Sequence, residues 1–347
     1  MRSASGRLLP ILLFFLLFVA CKNTTSPTVE KNPIFESDPR MKQITDAIFK
    51  NPTDASLYFT RGKMLYKLKQ DTLALNDYKK AAELDTTKAE YLSAIGDLLF
   101  ENKDIEGSVS WFQKAIAKNP KEPTAHLKIA KLFLYAQDYK KALEQLNIVQ
   151  RQNIYNPETY FLEGMIYKDM KDTARAISSF QTALEQSPDY QPAVVQLGLI
   201  YSARKDQLAI KYLDKAYKID SNDVFPIFAR GVYYQNANDF TRAKEEYKKC
   251  IIRNTHYIDA YFNLGYIYMQ QDSVEKAFRQ YDIVVRLQPD NPTAYYDRGI
   301  CNEMQKKLKE AVVDYRRALV LDTGYASPKA ALKRLGLNPN GSPTVHQ

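Results

Sequence analysis

The sequence predicts an all-α solenoid of eight consecutive helical hairpins with a short helix at either end. Three observations predict it. First, small residues recur with a period of 33 or 34: Ala142, Ala176, Ala209, Ala243, Ala277 and Ala311, with Ala74 and Ser108 at earlier multiples. Second, Gly62, Gly96, Gly164, Gly198, Gly231, Gly265 and Gly299 repeat in step, Ala130 filling the one gap, so seven of the 12 glycines occupy one repeat position. Third, a large residue follows each alanine by four and another small one comes three later, which is the spacing of one helix face. Composition agrees: 45% hydrophobic and 26% charged residues in 347 is a globular balance, and 16 Pro and 3 Cys are too few for a loop-rich or disulfide-built chain.

Taken in order, residues 1–20 read as a signal peptide. Arg2 and Arg7 precede an uncharged, mostly apolar stretch from Leu8 to Ala20. Such a stretch is shorter than the about 20 residues that a bilayer core of about 30 Å requires. The string Leu17-Phe18-Val19-Ala20-Cys21 resembles the bacterial lipobox, although Phe18 stands where that motif prefers Leu. The resemblance implies that Cys21 is lipidated, becomes the new N-terminus and holds the chain on a bacterial envelope membrane. An ordinary signal peptide with a cysteine at its boundary is the alternative. Lys22, rather than Asp, follows the cysteine and favours the outer over the inner membrane. Residues 21–38 are polar and without an apolar period, as expected of a flexible tether. Losing Arg2 and Arg7 lowers the net charge from +9 to +7. An exported chain does not normally meet nucleic acid, so that surplus is expected on solvated helix faces or near anionic lipid or cell-wall polymer.

Residues 39–54 are expected to form an N-terminal capping helix, since Ile44, Ala47 and Pro52 match the second-helix pattern of a repeat that lacks its first helix. Repeats then run from 55 to 325, beginning near Ala55, Ala89, Pro123, Pro157, Gln191, Val224, Ile258 and Pro292. Within each, glycine or alanine in the first helix lets the second approach closely, with an aromatic filling the space beside it. Asp104, Asp138, Asp172 and Asp239 share one phase, where a side-chain oxygen can cap the second helix, and Pro120, Pro188 and Pro289 punctuate its end. Residues 326–337 are expected to form a C-terminal cap ended by Gly336, and residues 338–347 a disordered tail. A terminal repeat cannot leave its apolar face bare, which is why both ends need a cap.

This pattern resembles the tetratricopeptide repeat over residues 55–325. The resemblance implies a right-handed superhelix. Departures are local: the fifth repeat is one residue short, and the tryptophan usual in the first helix is replaced by Tyr58, Tyr160, Tyr261 and Tyr295, by His126 or by smaller side chains.

Catalytic candidates fail for want of neighbours. His126 occupies a helix-packing position, His256 an inter-repeat turn and His346 the tail. No phosphate-binding loop, nucleophile elbow or Cys-x-x-Cys motif is present, so no catalytic residue, metal ligand, cofactor or small-molecule substrate is expected. Glu245 and Glu246, on a helix among lysines, read as a solvated face. Cys250 and Cys301 read as buried small hydrophobes, too far apart in the repeat for a disulfide. Lys79-Lys80, Lys140-Lys141, Lys248-Lys249 and Arg316-Arg317 are expected on the outer face.

The resemblance places a concave groove on first-helix positions 2, 5, 9, 12 and 13. Positions 5 and 9 of repeats four to eight are Phe161, Met165, Val195, Leu199, Phe228, Val232, Phe262, Tyr266, Tyr296 and Ile300, without a charge among them. Repeats one to three mix Lys63, Lys67, Asp97, Glu101 and Lys131 with Phe59, Tyr66 and Phe100. No lysine stands at position 5, which removes the family's carboxylate clamp. The expected function is therefore a non-enzymatic scaffold of the bacterial envelope, its folded part periplasmic or surface-exposed. Its expected partners are envelope proteins, such as cell-wall hydrolases or export and motility machinery. The alternative is an outer-membrane glycan-binding lipoprotein for nutrient uptake, but the uniform repeat spacing leaves no room for the insertions that build such sugar sites.

Overall fold

The computed structural model describes residues 33–36, 38–121 and 123–338. Cys21, the signal peptide, most of the expected tether, His346 and the tail from 339 onward lie outside the described residues. Among the described residues there are eighteen α-helices, one 3₁₀ turn and no strand. They form two compact bodies divided after Ile95. The N-terminal body holds the 3₁₀ turn Pro33–Phe35, α1 (Pro39–Lys50), α2 (Ala55–Lys67), α3 (Asp71–Leu84) and the start of α4 (Ala89–Glu101). The C-terminal body continues with α5 (Ile105–Lys118), α6 (Thr124–Tyr135), α7 (Tyr139–Gln152), α8 (Pro157–Asp169), α9 (Thr173–Gln186), α10 (Gln191–Ala203) and α11 (Leu208–Ile219). It ends with α12 (Phe225–Asn236), α13 (Phe240–Arg253), α14 (Ile258–Gln270), α15 (Val274–Leu287), α16 (Pro292–Met304), α17 (Leu308–Leu321) and α18 (Ala326–Arg334).

Several helix starts are fixed by side-chain caps. The carboxylates of Asp104, Asp138, Asp172 and Asp239 accept from the backbone N–H of Gly107, Lys141, Arg175 and Arg242 at 2.8, 3.2, 3.0 and 3.0 Å, satisfying a donor that the helix cannot. Asn156 and Asn291 do the same for α8 and α16, at 3.1 Å each. Between first and second helices the chain reverses through a left-handed residue that is never glycine: Lys69, Lys103, Gln137, Lys171, Lys205, Asn238, Asp272 and Lys306 have φ between +50° and +65°. The next residue reaches back to close the turn, as in Asp172 N–H to Tyr167 C=O at 2.8 Å and Asp239 N–H to Tyr234 C=O at 2.8 Å. The same turn conformation thus recurs in every hairpin.

Packing is serial. Within the C-terminal body, from α6 onward, each second helix lies against its own first helix and hands on to the next, as α9 does to α10 and α13 to α14. The buried clusters follow the chain: Ala142, Leu146, Leu162 and Ile166 join repeats three and four, whereas Tyr247, Cys250, Leu264 and Ile267 join six and seven. Ala331 and Leu332 of α18, both fully buried, close the last repeat against Tyr315 and Leu319. Two local differences from the sequence reading have clear causes. Phe35, in the stretch expected to be a tether, packs its ring 4.5 Å from the Arg61 guanidinium. Helix α18 stops at Arg334 because Gly336, at φ +76°, ends it and Leu337 N–H turns back to Leu332 C=O at 2.9 Å.

Candidate functional site

The repeat places its first-helix side chains by a close contact. A Cβ built on Gly164, Gly231, Gly265 or Gly299 would stand 2.5 to 2.7 Å from the ring of Phe180, Tyr247, Tyr281 or Tyr315. Absence of a side chain there lets those rings, all buried, pack directly against the first helix. The ring then becomes a platform for the residue at position 5. Phe161 packs on Phe180, Phe228 on Tyr247, Phe262 on Tyr281 and Tyr296 on Tyr315, with centroids 5.5 to 5.8 Å apart. A tyrosine from the following turn covers the other side: Tyr190 on Phe161, Tyr257 on Phe228 and Tyr325 on Tyr296, at 5.7, 5.2 and 5.5 Å.

Every one of the ten groove candidates lies in the C-terminal body. Phe161, Met165, Val195, Leu199, Phe228, Val232, Phe262, Tyr296 and Ile300 are half-buried, and Tyr266 is the open one at 44% exposure. Position-5 aromatics therefore spend one face on their own repeat and leave part of the ring outside. First helices also touch one another, α6 with α8 and α10 with α12, so the candidates share one side of consecutive elements.

Charge on these helices is distributed unevenly. Arg230 pairs with Asp214 of the preceding repeat and with Glu246 of its own, and Glu246 is also held by Lys249 at 2.7 Å. Arg298 likewise bridges Asp282 at 2.8 Å and Asp314 at 2.6 Å, and Arg61 meets Asp77 at 2.7 Å. Glu246 is buried, which corrects the reading of Glu245-Glu246 as a solvated face. The half-buried guanidinium of Arg230 offsets the cost of taking that carboxylate out of water. The signal was present in the sequence as a 16-residue spacing of arginine and acid.

Asp297 was missed as well. It occupies position 6 of α16, where Asn263 of α14 donates to the Tyr247 hydroxyl at 3.3 Å, again sixteen residues apart. Asp297 makes no hydrogen bond or ion pair among the described residues, and burial pushes its carboxyl up to about 7. Tyr281, raised chiefly by burial, is raised further by this carboxylate.

Remaining candidates are structural. His126 is buried with Nδ1 2.9 Å from Gln145 Oε1, and His256 is exposed in a turn. Cys250 and Cys301 are free thiols, fully buried and pushed up to about 12 by that burial. The eight paired basic residues of the second helices are all exposed. No group of His, Cys, Asp or Glu able to hold a metal occurs among the described residues. No helix among them is long and apolar enough to cross a membrane.

Known proteins resemble this chain in sequence and fold. Residues 86–201 match the family described as a tetratricopeptide repeat-like domain, residues 55–88 and 227–253 one described as a tetratricopeptide repeat, and residues 265–306 one described as a TPR repeat. A TPR repeat-containing protein of Methanocaldococcus jannaschii is 23% identical over 286 residues, which is 79% of this chain and 45% of that protein. The human protein O-mannosyl-transferase TMTC1 is 22% identical over 249 residues, 72% of this chain and 25% of that one. The chain therefore spans less than half the length of these curated relatives. Among solved structures, the C-terminal part of a TPR repeat-containing protein from Cytophaga hutchinsonii superposes with a TM-score of 0.54 at 17% identity, covering 68% of this chain and 98% of that one, a likeness of fold.

Proposed function

The chain belongs to the tetratricopeptide-repeat family, whose fold is generally a non-catalytic interaction scaffold, and from that premise we propose that it is a non-enzymatic, lipid-anchored scaffold of a bacterial envelope. Its first-helix face in repeats four to eight holds a segment of a partner protein. One observation carries this reading: ten consecutive position-5 and position-9 side chains are uncharged, and each keeps part of its surface open. Half-buried aromatics on a rigid platform suit recognition, because the receptor side has little rotamer freedom left to lose. Anchoring rests on the sequence around Cys21, and the outer membrane is the proposed location.

Crosslinking in the native envelope, followed by identification of what is captured, tests both parts. Phe228→Ala with Phe262→Ala should abolish capture while membrane attachment and helical content persist, since truncating a buried interface aromatic can cost about 2 kcal/mol or more. Cys21→Ser should leave the chain unprocessed. Capture that survives the double change but vanishes in high salt moves the site to the exposed lysine pairs. Retention of soluble glycan in place of protein supports the uptake alternative.

A further inference from the structure

The first helices of repeats five to eight carry unpaired charge of one sign only. Helix α10 carries no charge, α12 only Arg230, α14 only Asp259, and α16 Asp297, Arg298 and Glu303. Both arginines are consumed: Arg230 by Asp214 and Glu246, Arg298 by Asp282 and Asp314. Glu303 is consumed too, by Arg334 at 2.8 Å and by the Tyr315 hydroxyl at 2.6 Å. What remains is two acids, Asp259 and Asp297, with no partner among the described residues, in a chain whose net charge is +9. A free cation is missing from the very helices that carry the open aromatic side chains.

Asp297 is the better placed acid. It is half-buried, and its carboxylate acts on the hydroxyls of Tyr281 and Tyr325, both already raised by burial. The Tyr325 ring packs at a tilt against Tyr296, and Tyr266 acts on Tyr281 in turn, so the acid shares its surroundings with tyrosine rings. A carboxylate partly removed from water and lacking a donor gains most from an incoming cation, and ring faces add to that attraction.

We propose that the segment held on this face is a basic one, a Lys or Arg side chain between apolar neighbours, with its cation seated against Asp297 and its flanking residues on the aromatic platform of Phe262 and Tyr296. The proposal rests on the reading of this face as the partner site and adds the chemistry of the occupant. Complementarity carries it: acids without free cations on the first helices of repeats five to eight, exposed cations on the second helices. Long-range repulsion from the net positive chain works against a basic peptide everywhere else on the surface.

The test is selection from a displayed library of random dodecapeptides against the full chain in detergent at physiological salt. Enriched peptides should carry Lys or Arg beside aromatic or branched apolar residues. Replacing that Lys with norleucine should weaken binding to the wild-type chain by about tenfold, the worth of a charge-assisted hydrogen bond, and leave binding to Asp297→Asn unchanged. Equal binding of the Lys and norleucine peptides overturns the proposal, as does an identical loss on Asp297→Asn, which would seat the cation elsewhere. Failure of the underlying reading has a different signature. Either no peptide is enriched, or enriched peptides bind the Phe228→Ala, Phe262→Ala chain undiminished. Circular dichroism of each variant checks that the fold is retained.

Discussion

A Cβ at residue 231 would stand 2.5 Å from Cε1 of Tyr247, a ring with no exposed surface and therefore nowhere to move. Gly231→Leu, and even Gly231→Ala, should destabilise the fold by about 1–3 kcal/mol through overpacking, read as a lower midpoint in denaturant. An unchanged midpoint would mean that the helices part without cost. Asp297 makes a prediction of opposite sign. Tyr281 from α15, Cys301 from α16 and Tyr325 before α18 face it and are neutral at pH 7, while Arg298 is turned to Asp282 and Asp314. Burial holds its carboxyl near 7, above the unfolded value of 3.8, so the folded chain binds the proton more tightly. Stability is then greatest below pH 4 as far as this group is concerned, and declines as pH rises through 7. Asp297→Asn should raise stability at pH 8 by on the order of 1–3 kcal/mol and remove that slope, as urea melts across the window would report. A slope identical to wild type would show that Asp297 is not the group responsible.

Helices in each repeat are joined by the same strained residue, and strain of that kind is testable one turn at a time. Gln137 sits at φ +59° between α6 and α7, where its Cβ crowds the following carbonyl. Gln137→Gly should stabilise the chain by about 0.5–1 kcal/mol, the relief of crowding exceeding the entropy that glycine adds to the unfolded state. Asn238, at the same φ between α12 and α13, tolerates the left-handed region, so Asn238→Gly should gain less. Equal effects at both turns would refute this ranking.

Across the C-terminal body, stability is a chain of neighbouring contacts rather than one centre. Arg298 is the clearest link, joining Asp282 of repeat seven to Asp314 of repeat eight, and the latter is buried at 2% exposure. Arg298→Met leaves Asp314, among the described residues, with the amide of Asn302 3.0 Å away, and should cost about 3–5 kcal/mol. The loss should stay local. Amide exchange is expected to quicken in α15 to α18 while α8 to α10 keep their protection, and a uniform loss would contradict serial packing. On the same scale, charge is sorted by helix type: Arg230 and Arg298 of the first helices turn inward, whereas the paired bases of the second helices are exposed.

The sequence by itself determined the class of fold, because a 33- or 34-residue recurrence of glycine and alanine has one physical meaning: two helices whose backbones must nearly touch. It also determined the starts of four second helices, since Asp104, Asp138, Asp172 and Asp239 cap through their own side chains, a purely local interaction. The turns between paired helices were not legible, because their left-handed residue is Lys, Gln, Asn or Asp and carries no glycine to mark it. Burial of charge was likewise decided only in three dimensions. Glu246 reads as one acid among lysines until Arg230 comes across from the facing helix, and Asp297 reads as one more surface acid until Tyr281 and Tyr325 close around a position where no donor arrives. Side-chain periodicity reports which face of a helix is apolar, whereas the fate of a charge depends on what the neighbouring repeat brings to meet it.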